Sequence, residues 1–272
     1  MRRAASSESS ADAKGGVKAD RRFLQQDQPP GVPPLALTGE RTLPDVPAEN
    51  YWFRRHLVVY EWIAARVAGR TVIDMASGEG YGAALLAERA ASVVAVEANP
   101  ETYEHARLRY RAPNLRFERE LIETYSGPAE VIVCLQTIEH VRDPAAVLAH
   151  FATLAEEVYV STPNVLTLAP GGAQHSGNPF HLREYTPEQF AELCAASFGE
   201  VQMLGLYHAR KLRAHELALR LGFDRAHHAL RITRRFYDRF TPAISTRDFH
   251  LRQADEPREL AGCLDLVVHC RR

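Results

Sequence analysis

A run of small residues between an acid and a helix carries the strongest chemical signal in the chain: Asp74-Met75-Ala76-Ser77-Gly78-Glu79-Gly80-Tyr81-Gly82. Backbone bare of side chains can approach a ligand closely, where a Cβ would stand in the way. Val72-Ile73 precedes the run and Ala83-Ala84-Leu85-Leu86-Ala87-Glu88 follows it, so the loop joins a buried strand to a helix. Glu97 closes the next apolar run, 17 positions after Gly80. In nucleotide-binding sheets a carboxylate there accepts hydrogen bonds from ribose hydroxyls. A dinucleotide carrier wants G-x-G-x-x-G at the helix start. Here the glycines stand at 78, 80 and 82 with Ala76 before them, so that fingerprint is absent. An acid ahead of the loop is awkward for a diphosphate and suits a cationic amino-acid end. S-adenosylmethionine has that end, a ribose and no phosphate.

A second set of polar side chains lies in the long stretch from Asn164 to Tyr185, which contains His175, Asn178 and His181. Long loops inside compact domains are functional or disordered, and this one would lie over an acceptor pocket. A histidine near its ordinary pKa can take a hydroxyl proton at neutral pH, which makes His181 a candidate base. Asn164, His175 and Asn178 are candidate acceptor contacts, and Arg55 and His56 are candidate partners for a cofactor carboxylate. No compact cluster of histidines and carboxylates at ligand spacing stands out, so no metal site is expected.

These groups need a scaffold. Phe53, Leu57, Tyr60 and Ala64 recur at helical spacing, and β-branched runs follow at Thr71–Ile73, Val93–Val96, Val131–Val133 and Val158–Val160. Asn99-Pro100 and Asp143-Pro144 pair a capping side chain with a first-turn proline, and Thr186-Pro187-Glu188-Gln189 reads as a capping box. Strand and helix in alternation mean an α/β domain, doubly wound around a mostly parallel sheet. Cys263–Val268 reads as the last strand, with a helical insertion before it over about residues 208–245. Residues 1–35 are poor in apolar periodicity and read as a disordered tail, leaving 36–272 as one domain.

Composition narrows the class. With 272 residues, 46% of them hydrophobic and 25% charged, the chain is of globular type. It holds no apolar run long enough for a membrane span. A net charge of −1 gives no global pull toward nucleic acid. The N-terminus lacks the apolar stretch of a secretory signal, and four scattered cysteines read as reduced thiols, so a cytoplasmic location is expected. From Gly205 to Phe240 nine basic residues face three acidic ones, a surface that could meet an anionic partner.

The glycine loop with Glu97 resembles motif I of the class I S-adenosylmethionine-dependent methyltransferases, with Ala76 in place of the first glycine. The resemblance extends through Val131–Leu135 and the following Glu139-His140-Val141-Arg142-Asp143-Pro144 turn to Ser161-Thr162-Pro163-Asn164. It implies a Rossmann-like, seven-stranded sheet closed by an antiparallel last strand. It also implies that Asp74, Ala76, Gly78, Gly80 and Glu97 hold the cofactor, that Glu120 and Leu121 frame its adenine, and that Gln136 lies near the transferring methyl. His140, on the turn after the fourth strand, becomes a second candidate base beside His181. The flanks Leu37–Thr42, Glu49–His56 and Asn178–Tyr185 are similar to actinobacterial glycan O-methyltransferases, of the methylglucose-polysaccharide and mycofactocin-oligosaccharide type. That likeness implies a sugar or oligosaccharide hydroxyl as acceptor. A small lipid, quinone or polyketide acceptor is the alternative, and a non-catalytic or RNA-binding role the reading from another class. The oligomeric state stays open.

Overall fold

The computed structural model describes residues 22–38, 41–230 and 232–272. The first half runs β1 (Arg22–Phe23), β2 (Leu35–Ala36), α1 (Asn50–Ala64), β3 (Thr71–Met75), α2 (Tyr81–Ala87), β4 (Ser92–Val96) and α3 (Pro100–Arg109). Then come β5 (Leu115–Glu118), β6 (Val131–Leu135), α4 (Pro144–Leu154), β7 (Glu157–Pro163), α5 (Val165–Leu168) and α6 (Pro187–Ala195). The last third is β8 (Glu200–His208), α7 (Arg210–Arg220), α8 (Phe223–Ala229), α9 (Thr233–Phe240), β9 (Phe249–Ala254) and β10 (Asp265–Arg271).

The main sheet has the order β5-β4-β3-β6-β7-β10-β8-β9. The first five strands are parallel, and β10 enters antiparallel between β7 and β8. Alternation along each strand fills two cores. On β6, Ile132 and Cys134 face α4 and α6 through Leu148, Phe151 and Phe190. Val131 and Val133 face the other way, toward Ile63 of α1 and Leu86 of α2. The expected caps are present: Asn99 Oδ1 accepts from the Glu101 and Thr102 amides, and Asp143 accepts from Ala146. Thr186 and Gln189 form the capping box of α6.

The doubly wound expectation holds, with an antiparallel last strand and a helical insertion (α7–α9) before it. The strand count differs. An eighth strand, β9, pairs antiparallel with β8 from Met203–Ala254 to His208–Phe249. Phe249 and Ala254 are buried at its two ends, which holds it on the sheet although its middle carries polar side chains. The expected tail also departs from the structure. Residues 1–21 lie outside the described residues, whereas 22–35 pack on the domain with Gln25, Val32 and Leu35 buried. All four cysteines are free and buried.

Candidate active site

The parallel strands end along one edge, and the glycine loop sits there between β3 and α2. Asp74, fully buried at the end of β3, accepts at Oδ1 from the Tyr60 hydroxyl at 3.1 Å. Its Oδ2 has no hydrogen-bond partner among the described residues. Burial, reinforced by the nearby Glu97 carboxylate, pushes Asp74 up to about 7. A buried carboxylate oxygen left without a donor is a costly arrangement that a bound cation would relieve. Ala76, Gly78 and Gly80 all adopt left-handed backbone, at φ +58°, +57° and +100°. Open space surrounds Gly78, while Gly82 serves the protein itself: a Cβ there would meet the Tyr60 ring at 2.2 Å. The last glycine of the run thus makes room for the ring that holds Asp74.

Glu97 is fixed at the rim of this loop. Its Oε2 accepts from the Gly78 amide at 2.9 Å and its Oε1 from the Asn99 amide at 2.8 Å. The Glu97 amide donates to the Glu118 carbonyl, which brings the segment after β5 alongside. On that segment Glu120 is half-buried and Leu121 exposed. Sequence reasoning passed over Glu79, although it is an acid set between two glycines. It is buried and accepts from Gln25 Nε2 at 2.8 Å, the Tyr110 hydroxyl at 2.8 Å and the Tyr81 amide at 3.2 Å. His105 Nε2 and Arg109 Nε approach it at 3.2 Å each.

The neighbouring part of the candidate site follows β6. Gln136 adopts φ +53° and donates through Nε2 to Ser161 Oγ at 3.0 Å. A single helical turn, Ile138–His140, comes next. Glu139 is buried, accepts from the Thr162 hydroxyl at 3.1 Å, and is pushed up to about 8 by burial. The long loop folds back over this turn, its Leu182 amide donating to the Glu139 carbonyl at 2.8 Å. His140 Nδ1 lies 2.8 Å from the Phe180 carbonyl, which can only accept, so Nδ1 carries the proton and Nε2 the lone pair. His181 Nδ1 likewise donates to Glu184 Oε1 at 2.6 Å, but its Nε2 is capped at 2.9 Å by the Asn178 amide. Burial pulls His181 below the ordinary histidine value despite the Glu184 carboxylate.

The His140 and His181 rings meet edge to face with centroids 5.1 Å apart. Ligand atoms of Glu139, His140 and His181 all lie within 4.8 Å of one another, although both His181 ring nitrogens are already engaged by Glu184 and Asn178. The sequence reading expected no such cluster, because the loop brings its members together only in the fold.

Of the three candidate acceptor contacts, Asn164 is corrected, while His175 and Asn178 lie in the loop with hydrogen bonds of their own. Asn164 is fully buried: its Nδ2 donates to the Leu260 and Cys263 carbonyls at 3.1 Å, and its Oδ1 accepts from the Leu166 amide. It latches two segments of chain and has no side-chain surface for a substrate. His175 spends both ring nitrogens inside the loop, on the His181 carbonyl and the Gly177 amide. Asn178 is used likewise, on His181 Nε2 and the Phe180 amide. Arg55 is also committed, in a buried pair with Asp265 at 2.5 and 2.6 Å. Glu184, three residues after His181, is the orienting group that the sequence reading missed.

Residues 49–218 match a family model described as a methyltransferase domain. The chain is 35% identical over 265 residues to a probable S-adenosylmethionine-dependent methyltransferase of Mycobacterium tuberculosis, covering 91% of this chain and 95% of that protein. It is 30% identical over 182 residues to a ubiquinone biosynthesis O-methyltransferase of Albidiferax ferrireducens, covering 59% and 70%. Among solved structures it is similar to an S-adenosylmethionine-dependent methyltransferase of Thermotoga maritima, a possible histamine N-methyltransferase. That likeness has a TM-score of 0.53 at 14% identity, over 81% of this chain and 92% of the other, and speaks to the fold.

Proposed function

The chain belongs to the S-adenosylmethionine-dependent methyltransferases, and from that premise we propose that it methylates a hydroxyl oxygen of a sugar or oligosaccharide. The observation that carries this reading is the His140 imidazole. Its Nδ1–H is pinned by the Phe180 carbonyl, which leaves the lone pair on Nε2, and the ring lies in a cluster with the buried Glu139. Phe180 itself is 37% exposed at the same place and offers an aromatic face of the kind on which a sugar ring stacks. A polar group in reach of the hydroxyl and an aromatic wall beside it suit a polyhydroxylated acceptor.

When bound, S-adenosylmethionine supplies an electrophilic sulfonium methyl carbon whose displacement leaves a neutral thioether. The residues present fit it. The unpartnered Asp74 Oδ2 can meet the ammonium group, and Glu97, held in place by two backbone amides, can accept from ribose hydroxyls. Glu120 and Leu121, on the segment paired with Glu97, can frame the adenine, and Gln136, tied to Ser161, can lie near the methyl. His140 Nε2 takes the hydroxyl proton, and His181, with its Nε2 capped, supports the His140 ring. A placed base of this kind contributes about 10²–10⁴-fold. Alignment of oxygen, carbon and sulfur supplies more of the barrier lowering.

A quinone or lipid hydroxyl is the second reading. It is favoured by Leu166 and Leu182, exposed on the same loop, and by the ubiquinone-pathway relative. A labelled-methyl assay against oligosaccharide, lipid and quinol pools separates the two. Label in oligosaccharide that is lost in His140→Ala is the expected result, and label confined to the lipid or quinol pool overturns the sugar assignment.

A further inference from the structure

The insertion α7–α9 is packed by aromatic rings and joins the main core through Leu212 and Phe240. His215 stacks on Phe240 at 4.5 Å and on Phe236 at 5.8 Å between ring centroids, and Phe223 meets His227 at 3.7 Å. The aromatic residues and Leu212 fill the space beneath the helices, and other apolar side chains of the insertion are left outside it. Leu217 is 58% exposed, Leu221 79%, Leu230 67% and Ile232 40%. On α7 the spacing places Arg213, Leu217 and Leu221 along one outward face, with Arg220 between the two leucines. Arg225 of α8 and Arg235 and Arg239 of α9 are exposed as well, and the stretch from Gly205 to Phe240 holds nine basic residues against three acidic ones.

We propose that this face docks on the surface of an anionic lipid bilayer, the exposed leucines entering the headgroup boundary and the arginines meeting acidic headgroups. Scattered exposed apolar side chains are ordinary, but three leucines and an isoleucine within 16 residues, set among arginines, make a stretch of interfacial type. A bilayer supplies apolar depth and negative charge together, which is what this face lacks. A second copy of the chain would set arginine against arginine, and a nucleic acid would leave the leucines in water. No helix of the described residues is long and apolar enough to cross a membrane, so the contact is peripheral.

The test is co-sedimentation of the full chain with phosphatidylglycerol vesicles and, separately, with phosphatidylcholine vesicles. Binding to the anionic vesicles alone, weakened by raised salt, is expected. The double variant Leu221→Glu/Leu230→Glu should lower that binding by about tenfold or more. Its circular dichroism and its S-adenosylmethionine affinity should match the parent, since both side chains are exposed. Equal binding by parent and variant, or none by the parent, overturns the proposal. So does a variant that changes only the sedimentation coefficient of a dimer, or a face that retains RNA in preference to vesicles.

Discussion

The two halves of the cleft are built by different means. The proposed cofactor half rests on backbone: left-handed residues at 76, 78 and 80, amides that hold Glu97, and a glycine that admits the Tyr60 ring. The proposed acceptor half rests on side chains delivered by a loop that returns across 40 residues to meet His140. A site assembled from adjacent residues constrains the ligand it takes, whereas one assembled by a returning loop can change its acceptor by altering the loop.

The sharpest way to break the division is His140→Ala. Turnover should fall by about 10²–10⁴-fold while calorimetry finds S-adenosylmethionine binding unchanged; a parallel loss of cofactor affinity would join the halves into one unit. Glu97→Ala should act in the opposite sense, raising the cofactor Kd by about 10- to 100-fold, the worth of hydrogen bonds to a charged group. Asn164→Ala touches neither ligand. By leaving the Leu260 and Cys263 carbonyls short of a donor it should cost about 1–2 kcal/mol in denaturant unfolding, with catalytic constants near the parent's.

Asp74 gives the cofactor half a pH signature. Its folded value of about 7 lies above the ordinary 3.8, so the ligand-free folded chain holds this proton more tightly than the unfolded chain does. The group's contribution to stability is therefore greatest below about 4 and declines as pH rises toward 7. An ammonium group at Oδ2 needs the ionised form. Cofactor affinity should weaken by up to about tenfold per unit below pH 7, and Asp74→Asn should flatten that slope in titration calorimetry. The smallest effect belongs to Ala76→Gly. It removes a Cβ from left-handed backbone and should shift stability by less than about 1 kcal/mol, with the cofactor Kd as the more sensitive reading.

The same division explains what the sequence made legible. Asp74 to Glu97 could be read because strand, loop, helix and strand follow one another, and each local signal is backed by its neighbour. Glu139 with His181 could not, because their meeting depends on where a loop returns. Residues 22–35 escaped notice for a related reason: polar contacts hold them as well as buried Val32 and Leu35, Gln25 to Glu79 and the Pro33 carbonyl to His105 Nδ1. Composition reports apolar surface and is blind to such bonds. Strand β9 has only its ends buried, so no alternating pattern announces it.

Glu79 joins three parts of the chain that have no sequence relation: the segment bearing Gln25, helix α3 through His105 and Arg109, and the loop that carries it. Peeling the N-terminal segment away would strip a donor from an interior carboxylate, so that segment cannot fray at the low cost of an ordinary chain end. Its amide protons should exchange with solvent in step with those of the glycine loop, and a nucleoside seated on the loop should slow both together.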